Sequence, residues 1–177
     1  MATVLTLPAL KRRLTALRRK GQRIVFTNGC FDLIHPGHVR YLRAAKRLGD
    51  VLVVGLNSDA SVRHLKGPAR PLVRQRGRCE VIAALDMVDY VTVFGEDTPY
   101  KLIRQLQPDV LVKGGDWKPD QIVGADIVRA RGGVVRALRF ARGYSTTQLV
   151  KRIAEKQSTV ERSKSKELRC GSPTFRL

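Results

Sequence analysis

Acidic residues are scarce in this 177-residue chain: 15 Asp and Glu stand against 34 Lys and Arg, a formal net charge of +19. Such an imbalance points to anionic partners, either nucleic acid or small phosphorylated metabolites, and says nothing of fold. Aromatic residues make up only 6% of the chain, and none interleave the basic clusters as stacking platforms for bases would. Nucleic acid is therefore not an expected partner. The three cysteines, Cys30, Cys79 and Cys170, are far apart and form no C-x-x-C pair, which excludes a zinc ribbon and a disulfide framework and fits a reducing cytoplasm. No apolar run is long enough to span a bilayer, and Met1–Leu10 lacks the pattern of a secretory signal, so a cytoplasmic protein with no membrane partner is expected.

Hydrophobic residues, at 43%, suffice for one folded domain. Leu7, Leu10, Leu14 and Leu17 share one helical face, with Thr6 as cap and Gly21 as stop. Five short apolar runs read as buried strands: 23–27, 51–56, 90–94, 109–113 and 134–138. Helical patterns lie between them at 36–48, 58–64, 76–85, 98–106 and 124–131, and a last helix runs from Ser145 to about Glu155. Strands that are continuously apolar and alternate with helices predict a doubly wound α/β fold, Rossmann-like, on a parallel five-stranded sheet. The domain is expected to span 1–155. Residues 156–177, polar and basic, read as a disordered tail.

In such folds ligands bind beyond the carboxyl ends of the strands. Four segments fall there. Thr27–His38 (TNGCFDLIHPGH) passes from a strand through a glycine loop into a helix start, where unsatisfied N–H groups attract anions. His35 and His38, three apart across a first helical turn, can face the same phosphate, and donors fixed around phosphorus are the main means of catalysing its displacement. A metal site through H-x-x-H would need further ligands, from His64, Asp32, Asp59 or Asp116, and is the lesser reading. The second segment holds Asp59, Lys66, Gly67 and Arg70. The third is Lys113-Gly114-Gly115-Asp116-Trp117, and the fourth is GYSTT, Gly143–Thr147, where three hydroxyl residues open a helix. Taken singly, the last three read as well as a solvated loop, a tight turn and an ordinary N-cap.

The ordered set resembles the cytidylyltransferase-like branch of the nucleotidyltransferases, through His35-Pro36-Gly37-His38 and Ser145-Thr146-Thr147. Within that branch TNGCFDLIHPGH, LNSDASV, LKG, RP, LVKGGDW and GYSTT are similar to the heptose 1-phosphate adenylyltransferases, over about Gln22 to Ile153. The resemblance implies that AMP passes from ATP to D-glycero-β-D-manno-heptose 1-phosphate, giving ADP-heptose and pyrophosphate, with Mg²⁺ carried on the triphosphate and no protein metal site. His35 and His38 would stabilise the pentavalent phosphorus and Lys66 would neutralise charge. Thr27, Asn28, Gly29, Cys30, Phe31, Asp32, Lys113, Gly115, Asp116, Tyr144, Ser145, Thr146 and Thr147 would bind the nucleotide, and Asp59 and Arg78 the acceptor. A homodimer and a separate upstream sugar kinase are implied as partners. Two alternatives stay open: a cytidylyltransferase for glycerol 3-phosphate or another alcohol phosphate, and a nucleic-acid-binding protein that kept the fold.

Overall fold

The computed structural model describes residues 1–138 and 145–170. They fall into two compact units, divided between Arg142 and Gly143. In the first unit six parallel strands form one sheet: β1 (Thr3–Val4), β2 (Ile24–Gly29), β3 (Val51–Asn57), β4 (Tyr90–Phe94), β5 (Val110–Gly114) and β6 (Val134–Leu138), in the spatial order β1-β4-β3-β2-β5-β6. The expected count of five is corrected to six. The extra strand, β1, pairs only Thr3 with Tyr90 and Val4 with Val91, and two exposed residues are too few to carry a hydrophobic pattern.

Strands β2 to β6 match the five expected positions, and the inner ones, β2 and β3 above all, bury both faces. Along β2 and β3, Ile24, Phe26, Val51 and Val53 enter one core with Leu10, Leu14 and Leu17 of α1 (Leu7–Arg19). The intervening Val25, Leu52, Val54 and Leu56 enter the other core with Tyr41, Leu42 and Ala45 of α2 (Pro36–Lys46). Helices α3 (Asp59–Lys66) and α4 (Gln75–Ala83) follow β3; α4 supplies Cys79, Ile82 and Ala83 to this second core. Helices α5 (Tyr100–Leu106) and α6 (Ala125–Arg129) supply Leu102, Ile103, Leu106 and Val128 to the first. Each fully buried leucine or isoleucine contributes roughly 1.5–3 kcal/mol. Gly55, inside β3, is required by close approach: a Cβ there would lie 2.8 Å from the Phe26 ring and 3.1 Å from Leu102.

The chain moves outward from β2 through β3 to β4, then returns to lay β5 and β6 on the other side of β2. Strand order therefore reverses beside β2, and the crevice beyond its carboxyl end is the topological switch point.

The second unit contains α7 (Thr146–Cys170). The expected helix end near Glu155 is corrected: the helix continues to Cys170. No glycine or proline interrupts it before Gly171, and Lys151 and Glu155 form an i,i+4 pair at 3.9 Å. No helix among the described residues is long and apolar enough to cross a membrane.

Candidate active site

Three strand ends build the site in the first unit. β2 finishes at Gly29 and leads through Cys30–His35 into α2; β3 finishes at Asn57 and leads through Ser58 into α3; β5 finishes at Gly114 and leads to Gly115 and Asp116. His35 is the N-cap of α2, with extended backbone, and Pro36 occupies the first helical turn. The His35 Nδ1 accepts the backbone N–H of His38 at 3.3 Å. That acceptor nitrogen carries no proton, so the neutral ring has its proton on Nε2, a donor. The two imidazoles stack with centroids 3.8 Å apart and planes 22° from parallel, and Phe31 tilts against His38 at 5.3 Å. Phe31 adopts φ +45° so that its ring can pack across Gly29, where a Cβ would meet that ring at 3.1 Å.

Burial disfavours the imidazolium at both positions. It lowers the pKa of His35, and with the added charges of His35 and Lys66 it brings His38 down to about 4. The pair is therefore neutral at pH 7, and Lys66, the exposed last residue of α3, lies close enough to bear on His38. Lys113, half-buried on β5, has its ammonium destabilised by burial, with the Cys30 thiol beside it acting in the opposite direction.

A second layer of polar groups holds these loops. Asp32, 4% exposed, binds Arg70 at 2.6 Å and accepts the backbone N–H groups of Leu72 and Val73 at 2.8 and 3.0 Å. Arg78, 1% exposed, donates through Nε to the Val73 carbonyl at 3.0 Å and through its two Nη atoms to the Cys30 carbonyl at 2.6 Å and to Asp59 at 2.7 Å. Burial would raise the Asp59 pKa, but the bond from Arg78 and its positive field more than offset this and lower it. The Thr27 hydroxyl is buried against Tyr41, which in turn donates to the Val112 carbonyl at 3.3 Å. Asn57 donates to Ser61 at 2.9 Å, and Ser61 donates to the Glu96 carbonyl at 3.1 Å.

Several expectations for side chains change accordingly. Asp32 and Thr27 turn inward. Arg78 is inside, shared among three protein acceptors. Asp59 keeps a side chain 28% exposed. Gly115, at φ +117°, needs a glycine's freedom, and its N–H donates to Leu138 at 2.9 Å; Asp116 and Trp117 are exposed. His64 pairs with Asp97 at 2.6 Å on the surface. In the second unit Ser145 accepts the Gln148 N–H at 3.1 Å, the N-cap bond expected of it, at the start of the helix carrying Thr146 and Thr147. Tyr144 lies outside the described residues. Sequence reasoning misses the interior role of Arg78, although one signal exists: Arg78 shares a helical face with Ile82 and adjoins Cys79 and Ala83, a cation in an apolar stripe.

A strand-to-helix phosphate loop with two stacked histidines at a topological switch point defines a nucleotide-handling α/β site. The family model described as cytidylyltransferase-like matches residues 26–159, and the chain belongs to that family. It is 54% identical over 148 residues to the bifunctional protein HldE of Syntrophotalea carbinolica, covering 84% of this chain and 30% of that protein. It is 58% identical over 143 residues to the bifunctional protein HldE of Nitrobacter hamburgensis, covering 81% and 29%. The chain thus spans about 30% of the length of the curated relatives it matches. Among solved structures it is similar to the lipopolysaccharide core biosynthesis protein of Thermoplasma volcanium, with TM-score 0.55 and 29% identity over 71% of this chain and all of that one. The pantoate-beta-alanine ligase of Francisella tularensis shares the fold, with TM-score 0.58 and 17% identity over 80% of this chain and 68% of that one.

Proposed function

We propose that this chain is a sugar 1-phosphate adenylyltransferase acting on ATP and D-glycero-β-D-manno-heptose 1-phosphate. The stacked His35/His38 pair at the N-terminus of α2 carries the reading, supported by the ordered segments shared with heptose 1-phosphate adenylyltransferases and by relatives named HldE. A phosphate oxygen of the acceptor attacks the α-phosphorus of ATP. The bond from that phosphorus to the oxygen bridging to the β-phosphate breaks, and pyrophosphate leaves with the electron pair. His35 Nε2–H and the facing edge of His38 donate to oxygens on the α-phosphorus, where charge builds up. Backbone N–H groups at the Asn28–Phe31 loop hold phosphate, Lys66 neutralises charge, and Asp116 lies by the nucleoside. Holding two anions in line contributes about 7–11 kcal/mol, so no covalent intermediate is required.

Mg²⁺ supplies charge neutralisation on the triphosphate. No group of three or more His, Cys, Asp or Glu side chains able to hold a metal occurs among the described residues, and Asp32 and Asp59 are committed to arginines, so the ion fits as one carried by nucleotide oxygens. The proposal includes a homodimer, a cytoplasmic location and a separate kinase reaction that supplies the sugar 1-phosphate. The test is pyrophosphate release with each nucleoside triphosphate, Mg²⁺ and a panel of sugar and polyol phosphates. Release with ATP and heptose 1-phosphate alone is expected. A preference for CTP with glycerol 3-phosphate would keep the mechanism and replace the substrates, and no release with any pair would overturn the assignment.

A further inference from the structure

Arg78 is buried and yet fully engaged, and its three partners belong to three separate segments. Val73 precedes α4, Cys30 lies in the phosphate loop, and Asp59 begins the helix that ends at Lys66. Val73 is held from both sides, its N–H by Asp32 and its carbonyl by Arg78. Asp32 also takes the Leu72 N–H and the Arg70 guanidinium. Segment 70–73 is thus bonded through two buried side chains to residues 30–32, a few positions before His35. A guanidinium spreads its donors over Nε and two Nη atoms and so reaches three separated acceptors; a lysine ammonium carries all its donors on one atom and reaches fewer of them.

We infer that Arg78 is a positioning residue that couples the phosphate loop to the acceptor side of the site, setting Lys66 and the 70–73 segment against the His35/His38 pair. The inference rests on the proposed function for the identity of the acceptor. Arg78 has no exposed atom with which to touch either substrate, so its effect passes through Cys30, Asp59 and Val73. A nucleotide seated on the phosphate loop then steadies residues 72 and 73, far away in sequence, and the acceptor meets a site already formed.

The test uses the whole chain and two arms. In the first, Arg78→Lys and Arg78→Gln are compared with wild type well below their melting transitions, reading kcat, KM for heptose 1-phosphate and the dissociation constant of a non-hydrolysable ATP analogue. In both variants kcat/KM for the acceptor is expected to fall about 10- to 100-fold, less in Arg78→Lys, while the analogue's affinity changes less than about threefold. Unchanged kinetics per folded molecule, or an equal loss in analogue affinity, would overturn the inference. The second arm needs neither variant nor acceptor: hydrogen exchange of the Leu72 and Val73 amides in the wild type, with and without the ATP analogue. Slower exchange with the analogue is expected, and identical rates at saturation would overturn the coupling. Wild-type protein that shows this protection but no turnover of heptose 1-phosphate would refute the proposed substrate and leave the coupling standing.

Discussion

The two ends of the sheet are both basic, but they are built differently. At the carboxyl ends Thr27, Asp32, His35, Asn57, Ser61 and Arg78 are all buried and all hydrogen-bonded, and Thr27, Asp32, Ser61 and Arg78 reach other segments. At the amino ends Arg18, Arg23 and Arg131 border an open groove with Gly21, Gly132, Gly133 and Asp109. Arg18 there donates to the carbonyls of Leu106 and Gln107, closing the C-terminus of α5, and Asp109 accepts the Ile24 N–H at 2.7 Å. Burying polar groups is costly unless every bond is made, and the cost is met where loops must stand in fixed relation around a ligand. Arg23 and Arg131 at that end keep their charges in water, where they contribute little to stability.

That contrast can be broken most forcefully at the histidines. His38→Ala and His35→Ala, measured separately, are each expected to lower kcat about 10²- to 10³-fold with the fold intact, the loss typical of one transition-state donor. Near-normal turnover in both would remove the catalytic role. Asp32→Ala comes next: it leaves Arg70 and two backbone N–H groups without their acceptor and should cost about 3–5 kcal/mol of unfolding free energy in denaturant titrations.

Protonation sharpens the comparison further. The folded pKa of His38, about 4, lies below its unfolded value, so the unfolded chain binds the extra proton between the two. The stability from keeping this imidazole neutral is fully present above about pH 6.5 and is lost as the pH falls towards 4, on the order of 2–4 kcal/mol. An NMR titration of the ring should show its midpoint near 4 in the free protein and a higher one once a nucleotide phosphate is bound; a free midpoint near 6.5 would contradict the burial argument. The smallest effect belongs to the opposite end: Arg131→Ser should change unfolding free energy by less than about 0.5 kcal/mol and turnover not at all. A large kinetic loss there would show that the groove takes part in the reaction.

Much of this is legible in the amino-acid pattern alone. Continuous apolar runs place strands β2 to β6, and glycines, prolines and the His35–His38 spacing place the loop between β2 and α2. What pattern does not carry is the direction of polar side chains. Asp32 and Arg78 read from the sequence as substrate-binding groups, and their burial follows from long-range pairing: Arg78 meets Cys30 forty-eight positions away and Asp32 meets Arg70 thirty-eight away. β1 escapes notice because an edge strand of two residues has no periodicity, and the extent of α7 because a polar, basic composition hides good helix formers.

The central claim, direct transfer of a nucleotidyl group to a sugar phosphate, is tested most directly by following ATP labelled at the α-phosphorus in the presence of Mg²⁺ and heptose 1-phosphate. The expected result is label in the nucleotide-sugar product, with one pyrophosphate released per labelled product and no label retained on the protein. Label that stays in ATP, appears as AMP or remains bound covalently to the chain would contradict it.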